Sequence, residues 1–306
     1  MRTELNKIGF IGLGNMGSGM ASNLLSYCLQ HEIHFAVYDL NEHAVRNLVG
    51  LGAVAADSIA DLANNSDVVI TSLPSSKEVC QVALGGEGLF ANLPDGATWF
   101  ETSTNDLKSW QELVGQARAS LTMIDAPVTG GAEGASAGTL TMLPGIEQGC
   151  LDAFAEILAS FTAKAVRMGS FGAGYVSKLC QLHLNYLVTQ GIGETLMLGA
   201  KAQLDLQTLY EVLGASCAQS YVVDSYIPKI LDGSYDPGFA LGLAAKDMRL
   251  IGEPGKHLNV PMTLASIVNS TYEEAVGKYG AQEPHLKIVK LIEEETGIDL
   301  RSDSDA

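Results

Sequence analysis

One stretch governs what this chain can fold into: Gly172 to Gln203, G-A-G-Y-V-S-K-L-C-Q-L-H-L-N-Y-L-V-T-Q-G-I-G-E-T-L-M-L-G-A-K-A-Q. It predicts one long helix, apolar on nearly every side, and such a helix survives in water only when neighbouring elements or subunits cover it. Its polar residues are therefore the informative ones. At ~100° per residue, Lys178, Gln181, Asn185 and Thr189 fall within roughly 80° of one another on the helix surface. A lysine on this stripe is costly to bury without partners, and desolvation lowers its pKa towards the range useful for proton transfer. Lys178 is thus a candidate acid/base; the alternative is a lysine in an exposed first turn whose neighbours satisfy one another. His183 stands about 140° from Lys178 on the same helix and is expected to be a packed histidine.

Ahead of this helix the pattern alternates. Lys7–Gly12 reads as a strand, followed at once by Gly12-x-Gly14-x-x-Gly17 and then by helical spacing over Ser18–Leu29. In a strand, turn and helix of this kind the first glycine makes the turn, the second admits a pyrophosphate and the third lets helix and strand pack. Backbone N–H groups at the helix start bind the phosphates without any positive side chain. A second strand, His34–Tyr38, ends in Asp39, about twenty residues beyond the glycines, where a carboxylate can accept from an adenosine ribose. No arginine adjoins it: Leu40, Asn41 and Glu42 follow, which favours NAD over NADP. The competing role for Asp39 is a cap on a helix over Asn41–Val49.

Further helices are expected at Ser58–Ala63, Lys77–Ala83 and Asp106–Ala119, and strands at Val68–Ser72, Thr98–Glu101 and Met123–Ala126. Strands alternating with helices at this spacing imply a parallel sheet whose carboxyl ends bind ligand. Leu73-Pro74 and Thr102-Ser103-Thr104 lie at those ends and are expected to touch the cofactor, although each is also an ordinary turn sequence. Gly130-Gly131 is a candidate anion-binding nest for a substrate carboxylate, although taken alone such a pair is more often a flexible loop. A strand at Gly138–Met142, an amphipathic helix at Leu151–Phe161 and a last strand at Ala165–Met168 complete this half, with a boundary at Gly169–Gly174.

Beyond the long helix only helices are expected: Leu206–Leu213, Tyr221–Leu231, Leu241–Glu253, Met262–Val276 and Leu286–Thr296. Lys246 is the other lysine on a mostly apolar segment, and taken alone, pairing with Asp247 or a solvated position is the simpler explanation. Arg301–Ala306 is expected to be a frayed acidic tail.

Composition sets limits. The chain has 306 residues, 47% apolar and 17% charged, which is enough for two globular domains. A net charge of −17 argues against nucleic acid or an anionic membrane as partner. Five scattered cysteines without a C-x-x-C pair are expected to be reduced thiols rather than metal ligands. With a strand expected within a few residues of Met1 and no uninterrupted apolar run of membrane-spanning length, a cytoplasmic protein is expected.

Four stretches taken together, G-F-I-G-L-G-N-M-G, D-A-P-V-T-G-G-A-E-G-A-S-A-G-T-L-T-M, G-A-G-Y-V-S-K-L and F-A-L-G-L-A-A-K-D, resemble the β-hydroxyacid dehydrogenase family typified by 3-hydroxyisobutyrate dehydrogenase. The likeness spans about residues 7–295. It implies an α/β Rossmann domain over residues 1–170 and an all-α domain over 171–306, joined by the long central helix and serving substrate binding and oligomerisation. It also implies NAD(P)-dependent oxidation of a short hydroxy acid. By this resemblance Gly12, Leu13, Gly14, Asn15, Met16, Gly17, Asp39, Leu73, Pro74, Thr104, Phe239 and Lys246 face the cofactor. Lys178 is the acid/base, and Thr129, Gly130, Gly131, Gln181, Leu182 and Asn185 surround the substrate. Three positions depart from the family pattern. Gln181 and Leu182 stand where K-x-x-N-N is usual, and Thr129 stands where serine is usual, which implies a substrate unlike 3-hydroxyisobutyrate at its polar end. An imine reductase on the same plan and a cofactor-binding protein without turnover are the rivals; Lys178 and Asp39 count against the first, and both lysines against the second. A helix apolar all round and an all-helical domain imply a homodimer or homotetramer.

Overall fold

The computed structural model describes residues 6–302 and divides into two compact units, residues 1–178 and 179–306. The first unit is a doubly wound sheet. In chain order it contains β1 (Lys7–Ile11), α1 (Asn15–Gln30), β2 (His34–Tyr38), α2 (Glu42–Val49), β3 (Val54–Ala55), α3 (Ile59–Asn64), β4 (Val68–Thr71), α4 (Ser76–Ala83), α5 (Leu89–Asn92), β5 (Thr98–Glu101), α6 (Leu107–Val114) and β6 (Thr122–Asp125). The six strands pair in parallel in the order β3-β2-β1-β4-β5-β6. The expected parallel sheet is therefore present, and its order reverses between β1 and β4, the kind of point where ligands bind in such sheets.

Side chains on the central strands alternate between two apolar layers, as a strand's period of two demands. Ile8, Phe10, Val68, Ile70 and Phe100 pack with Leu24 and Leu25 of α1 on one face. Ile11, Val69 and Trp99 pack with Leu62, Val79 and Trp110 on the other. Burying a side chain of this size contributes about 1.5–3 kcal/mol. Local chemistry sets the helix ends: the Ser58 hydroxyl accepts from Asp61 N–H at 3.0 Å, and Asp106 from Ser109 N–H at 2.8 Å.

After β6 come β7 (Val128–Thr129), α7 (Gly131–Ala137), β8 (Leu140–Met142), α8 (Ala155–Ala159) and β9 (Thr162–Ala165). The three strands form a second, mixed sheet in the order β7-β8-β9. Several expectations need correction here. Gly130-Gly131 is not a free loop, because it follows Thr129 at the end of β7 and Gly131 opens α7. The expected helix over Leu151–Phe161 is a 3₁₀ turn at Asp152–Phe154 followed by the short α8, and the last strand is β9 rather than Ala165–Met168. Helix α6 stops at Val114, before Gly115, and not at Ala119.

The long helix is α9 (Ala173–Lys201). The second unit contains its later turns with α10 (Leu206–Gly214), α11 (Tyr221–Leu231), α12 (Leu241–Leu258), α13 (Thr263–Tyr279) and α14 (Lys290–Thr296), with a 3₁₀ turn at His285–Val289 where α-helix was expected. No strand occurs there among the described residues. Leu179, Leu182, Tyr186, Ile192 and Leu196 of α9 enter a core with Ile227, Ile230, Ala244, Met248, Val268 and Tyr272. The α12 helix continues past the expected end at Glu253, through Pro254, to an αL cap at Asn259. Of the expected acidic tail, residues 303–306 lie outside the described residues.

Candidate active site

Within the first unit the expected cofactor residues gather at the carboxyl ends of β1, β2, β4 and β5. Gly12 has φ +94°, and a Cβ there would lie 2.2 Å from the Ser72 carbonyl oxygen. A Cβ on Gly17 would lie 1.9 Å from the Gly12 carbonyl oxygen, so helix and strand touch backbone to backbone. At Gly14 the situation reverses. A Cβ there would meet nothing within 4 Å. The fold itself thus requires the first and third glycines, whereas the second borders open space at the start of α1, a cradle suited to a pyrophosphate. Asn15, Met16 and Gly17 form the first turn of that helix, which carries no acidic side chain.

Asp39 follows β2 and reaches the glycine turn. Its Oδ2 accepts from Leu13 N–H at 2.5 Å and its Oδ1 from Asn41 N–H at 2.7 Å. The capping role proposed for it as an alternative falls instead to Asn41, whose Oδ1 accepts from His43 N–H at 3.0 Å and Ala44 N–H at 3.4 Å. Next along the edge, Leu73 N–H donates to Ser103 Oγ at 2.7 Å, so the Leu73-Pro74 and Ser103-Thr104 segments are fastened to each other.

Thr129, Gly130 and Gly131 lie where β7 turns into α7. Gly130 has φ +130° and Gly131 φ +69°, conformations that explain two adjacent glycines. Asp125, the residue closing β6, sets the local frame. Its Oδ1 accepts from Gly172 N–H at 2.8 Å and its Oδ2 from Gly174 N–H at 2.8 Å and Tyr175 N–H at 3.3 Å. A carboxylate distant in sequence therefore caps the start of α9. Burial pushes this carboxyl up to about 6, against the lowering effect of those N–H groups. Lys178 follows one turn later and is buried, with 9% of its surface exposed, so the exposed-first-turn alternative does not hold.

In the second unit, Gln181 and Asn185 are half-buried on α9 and Leu182 is buried in the helical core. Thr189 is fully buried and donates to the Asn185 carbonyl at 2.9 Å, a local satisfaction. Tyr226 OH donates to Asn185 Oδ1 at 3.5 Å. Phe239, just before α12, packs edge-on against His285 with ring centres 5.2 Å apart. Lys246 Nζ lies 3.2 Å from Asp247 Oδ1, and Tyr186 OH donates to Asp247 Oδ2 at 3.0 Å. The expected pairing of the two α12 residues is thus present, with a buried tyrosine fixing the carboxylate. His183 is half-buried, and burial lowers its pKa, consistent with a packed histidine. Asp125, Tyr186 and Glu101 were missed by sequence reasoning, since Asp125 is tied to Gly172, Tyr186 to Asp247 and Glu101 to Tyr175 across long stretches of sequence.

The match to known proteins covers both units. Residues 7–169 match the family described as the NAD binding domain of 6-phosphogluconate dehydrogenase, and residues 172–292 that described as NAD-binding of NADP-dependent 3-hydroxyisobutyrate dehydrogenase. The chain is 31% identical to 2-(hydroxymethyl)glutarate dehydrogenase of Eubacterium barkeri, over 96% of this chain and 97% of that one. It is 33% identical to an NAD-dependent L-serine dehydrogenase of Pseudomonas aeruginosa, over 94% and 98%. A crystal structure of 3-hydroxyisobutyrate dehydrogenase from Salmonella typhimurium superposes with a TM-score of 0.81 at 26% identity, covering 93% of this chain and 99% of the other. The chain belongs to the β-hydroxyacid dehydrogenase family, of the 3-hydroxyisobutyrate dehydrogenase type. It is an NAD(P)-dependent hydroxyacid dehydrogenase with a Rossmann domain and a helical domain. Among the described residues, no helix is long and apolar enough to cross a membrane.

Proposed function

We propose that this dehydrogenase oxidises a 3-hydroxypropionate carrying a substituent at C2, with NAD as the preferred cofactor and Lys178 as acid/base. The relatives' names support the substrate class: 2-(hydroxymethyl)glutarate, serine and 3-hydroxyisobutyrate all place a hydroxymethyl group on the carbon that bears the carboxylate. They differ in the second substituent of that carbon. Leu182, which cannot hydrogen-bond, stands with Gln181 where the family's paired asparagines are expected, and a buried oxygen left unpaired there costs about 1–3 kcal/mol. The preferred substrate therefore differs from 3-hydroxyisobutyrate at this end, with Gln181 and Asn185 as the available polar groups.

The observation that carries the reading is a buried lysine at the head of α9. As a neutral amine, Lys178 Nζ accepts the hydroxyl proton while the carbinol C–H bond breaks, leaving an aldehyde; in the reverse direction the ammonium returns the proton. Bound nicotinamide supplies the acceptor of the hydride. Thr129, Gly130 and Gly131 hold the substrate carboxylate through backbone N–H groups and the threonine hydroxyl. Gly12 to Gly17 hold the pyrophosphate, Asp39 the adenosine ribose, and Leu73, Pro74, Thr104, Phe239 and Lys246 the remainder of the cofactor. Residues 1–170 form the cofactor domain and 171–306 the substrate and oligomerisation domain. The case for NAD rests on the Asp39 carboxylate, which repels a 2′-phosphate, and on the absence of a cation at residues 40–42. Exposed apolar residues on α9, Leu184 at 65% and Leu198 at 73%, support a homo-oligomer formed through this helix.

The test is NADH formation across 2-substituted 3-hydroxypropionates and 2-hydroxy acids, repeated with NADP. Turnover confined to the first group, with kcat/KM at least tenfold higher for NAD, is expected. No turnover with any hydroxy acid despite NAD binding overturns the substrate reading, and a preference for NADP overturns the role of Asp39.

A further inference from the structure

Three segments of the first unit converge on one carboxylate that the proposed chemistry does not use. Glu101, the last residue of β5, is fully buried. Its Oε1 accepts from Ser103 N–H at 3.1 Å and from the Ser103 hydroxyl. Its Oε2 accepts from Asn105 Nδ2 at 2.6 Å and from the Tyr175 hydroxyl. Each of these partners holds something further. Ser103 Oγ receives Leu73 N–H at 2.7 Å, and Asn105 Oδ1 receives the Ser76 hydroxyl at 3.1 Å. Tyr175 stands three residues before Lys178 on α9, its ring edge-on to Trp110 at 5.6 Å. Donors approach both oxygens, so the position suits a carboxylate and not a carboxamide, which offers one acceptor oxygen. Burial pushes this carboxyl up and its hydrogen bonds pull it down, with burial the larger. An apolar residue at this position would fill the space at lower electrostatic cost, but it would leave the orientation of the three segments unspecified.

We infer that Glu101 is a positioning residue that holds the Leu73-Pro74 segment, the Ser103-Thr104 segment and the lysine-bearing turn of α9 in one register, so that cofactor affinity and proton transfer depend on the same buried carboxylate. This rests on the roles given above to those loops and to Lys178. Glu101 acts through Ser103 on the cofactor side and through Tyr175 on the lysine side, and the two arms are separable. Tyr175→Phe keeps the ring against Trp110 and removes one arm; Ser103→Ala removes the other; Glu101→Gln disturbs both.

With the full-length enzyme, NAD+ affinity is read by equilibrium titration, kcat at saturating substrate, and the thermal midpoint for each variant. Tyr175→Phe is expected to lower kcat about tenfold with NAD+ affinity within about twofold of wild type. Ser103→Ala is expected to weaken NAD+ binding about tenfold, and Glu101→Gln to do both. If Glu101→Gln fails to fold, the other two variants decide. Variants that melt earlier yet keep wild-type kcat and NAD+ affinity overturn the inference, because a purely structural role moves only the midpoint. Should Lys178→Ala turn over normally, the acid/base reading falls, and NAD+ affinity in Ser103→Ala and Glu101→Gln alone then decides for or against Glu101.

Discussion

Gly14 and Gly17 lie three residues apart in the same motif, yet the structure gives them opposite consequences on substitution. Gly14 has φ −68° and ψ −167°, a conformation open to alanine, and its Cβ would point into space with nothing within 4 Å. Gly14→Ala reduces the freedom of the unfolded chain, a gain of about 0.4–1 kcal/mol, while alanine is the poorer helix cap by an amount of similar size. Net stability should stay within about 1 kcal/mol of wild type, a midpoint shift within ~4 °C for a chain of this length. The new methyl group nevertheless occupies the approach to the helix start, and NAD+ affinity should fall at least tenfold, about 1.4 kcal/mol. Gly17→Ala behaves differently. Its Cβ would lie 1.9 Å from a backbone oxygen, so β1 and α1 must part, and overpacking of this kind costs about 1–3 kcal/mol or more. Thermal melts and NAD+ titrations of both variants make the comparison. Gly14→Ala binding NAD+ as wild type does, or melting as early as Gly17→Ala, would refute the assignment of one glycine to the ligand and the other to the fold.

Three further outcomes follow from particular groups. Burial raises the Asp125 carboxyl from 3.8 to about 6, so the native state holds this proton more tightly than the unfolded chain. Its contribution is present in full below pH ~4 and lost as pH rises through ~6, about 3 kcal/mol in order of magnitude. In chemical denaturation from pH 4 to 8, the advantage of wild type over Asp125→Asn should shrink with rising pH; an advantage that grows contradicts the raised value. Leu184→Glu, on the exposed face of α9, is expected to leave the fold intact and to convert the proposed homo-oligomer to monomer in light scattering; a monomeric wild type, or a variant of unchanged oligomeric mass, contradicts assembly through this helix. Tyr186→Phe frees Asp247 Oδ2 and should weaken NAD+ binding severalfold through Lys246; unchanged affinity separates that pair from the cofactor.

The parts of the fold readable from sequence were those written locally. The glycine turn, Asp39, the alternating strands and the long apolar helix each carry their physics within a few residues, and β1, β2, β5 and α9 fall within a residue or two of the expected bounds. Short elements stabilised from outside were not readable. Strand β3 is two exposed residues held by pairing to β2, and α7 looked like a glycine-rich loop because its packing partners, Gly19 and Asn23 on α1, lie more than a hundred residues away. The α8 region misled because its apolar spacing continues across a 3₁₀ turn. At the site, Lys178 and Asp39 were legible as residue types in a pattern. Asp125 and Glu101 were not, since their donors at Gly172 and Tyr175 stand 47 and 74 residues away and only the tertiary fold brings them together.

The central claim is that Lys178 exchanges the proton. The most direct measurement is steady-state NADH formation by wild type and Lys178→Ala with the best 3-hydroxypropionate, accompanied by NAD+ titration of both proteins. The account predicts a loss of at least two powers of ten in kcat/KM with NAD+ affinity changed by no more than a few fold. A variant that keeps turnover within tenfold of wild type would contradict it.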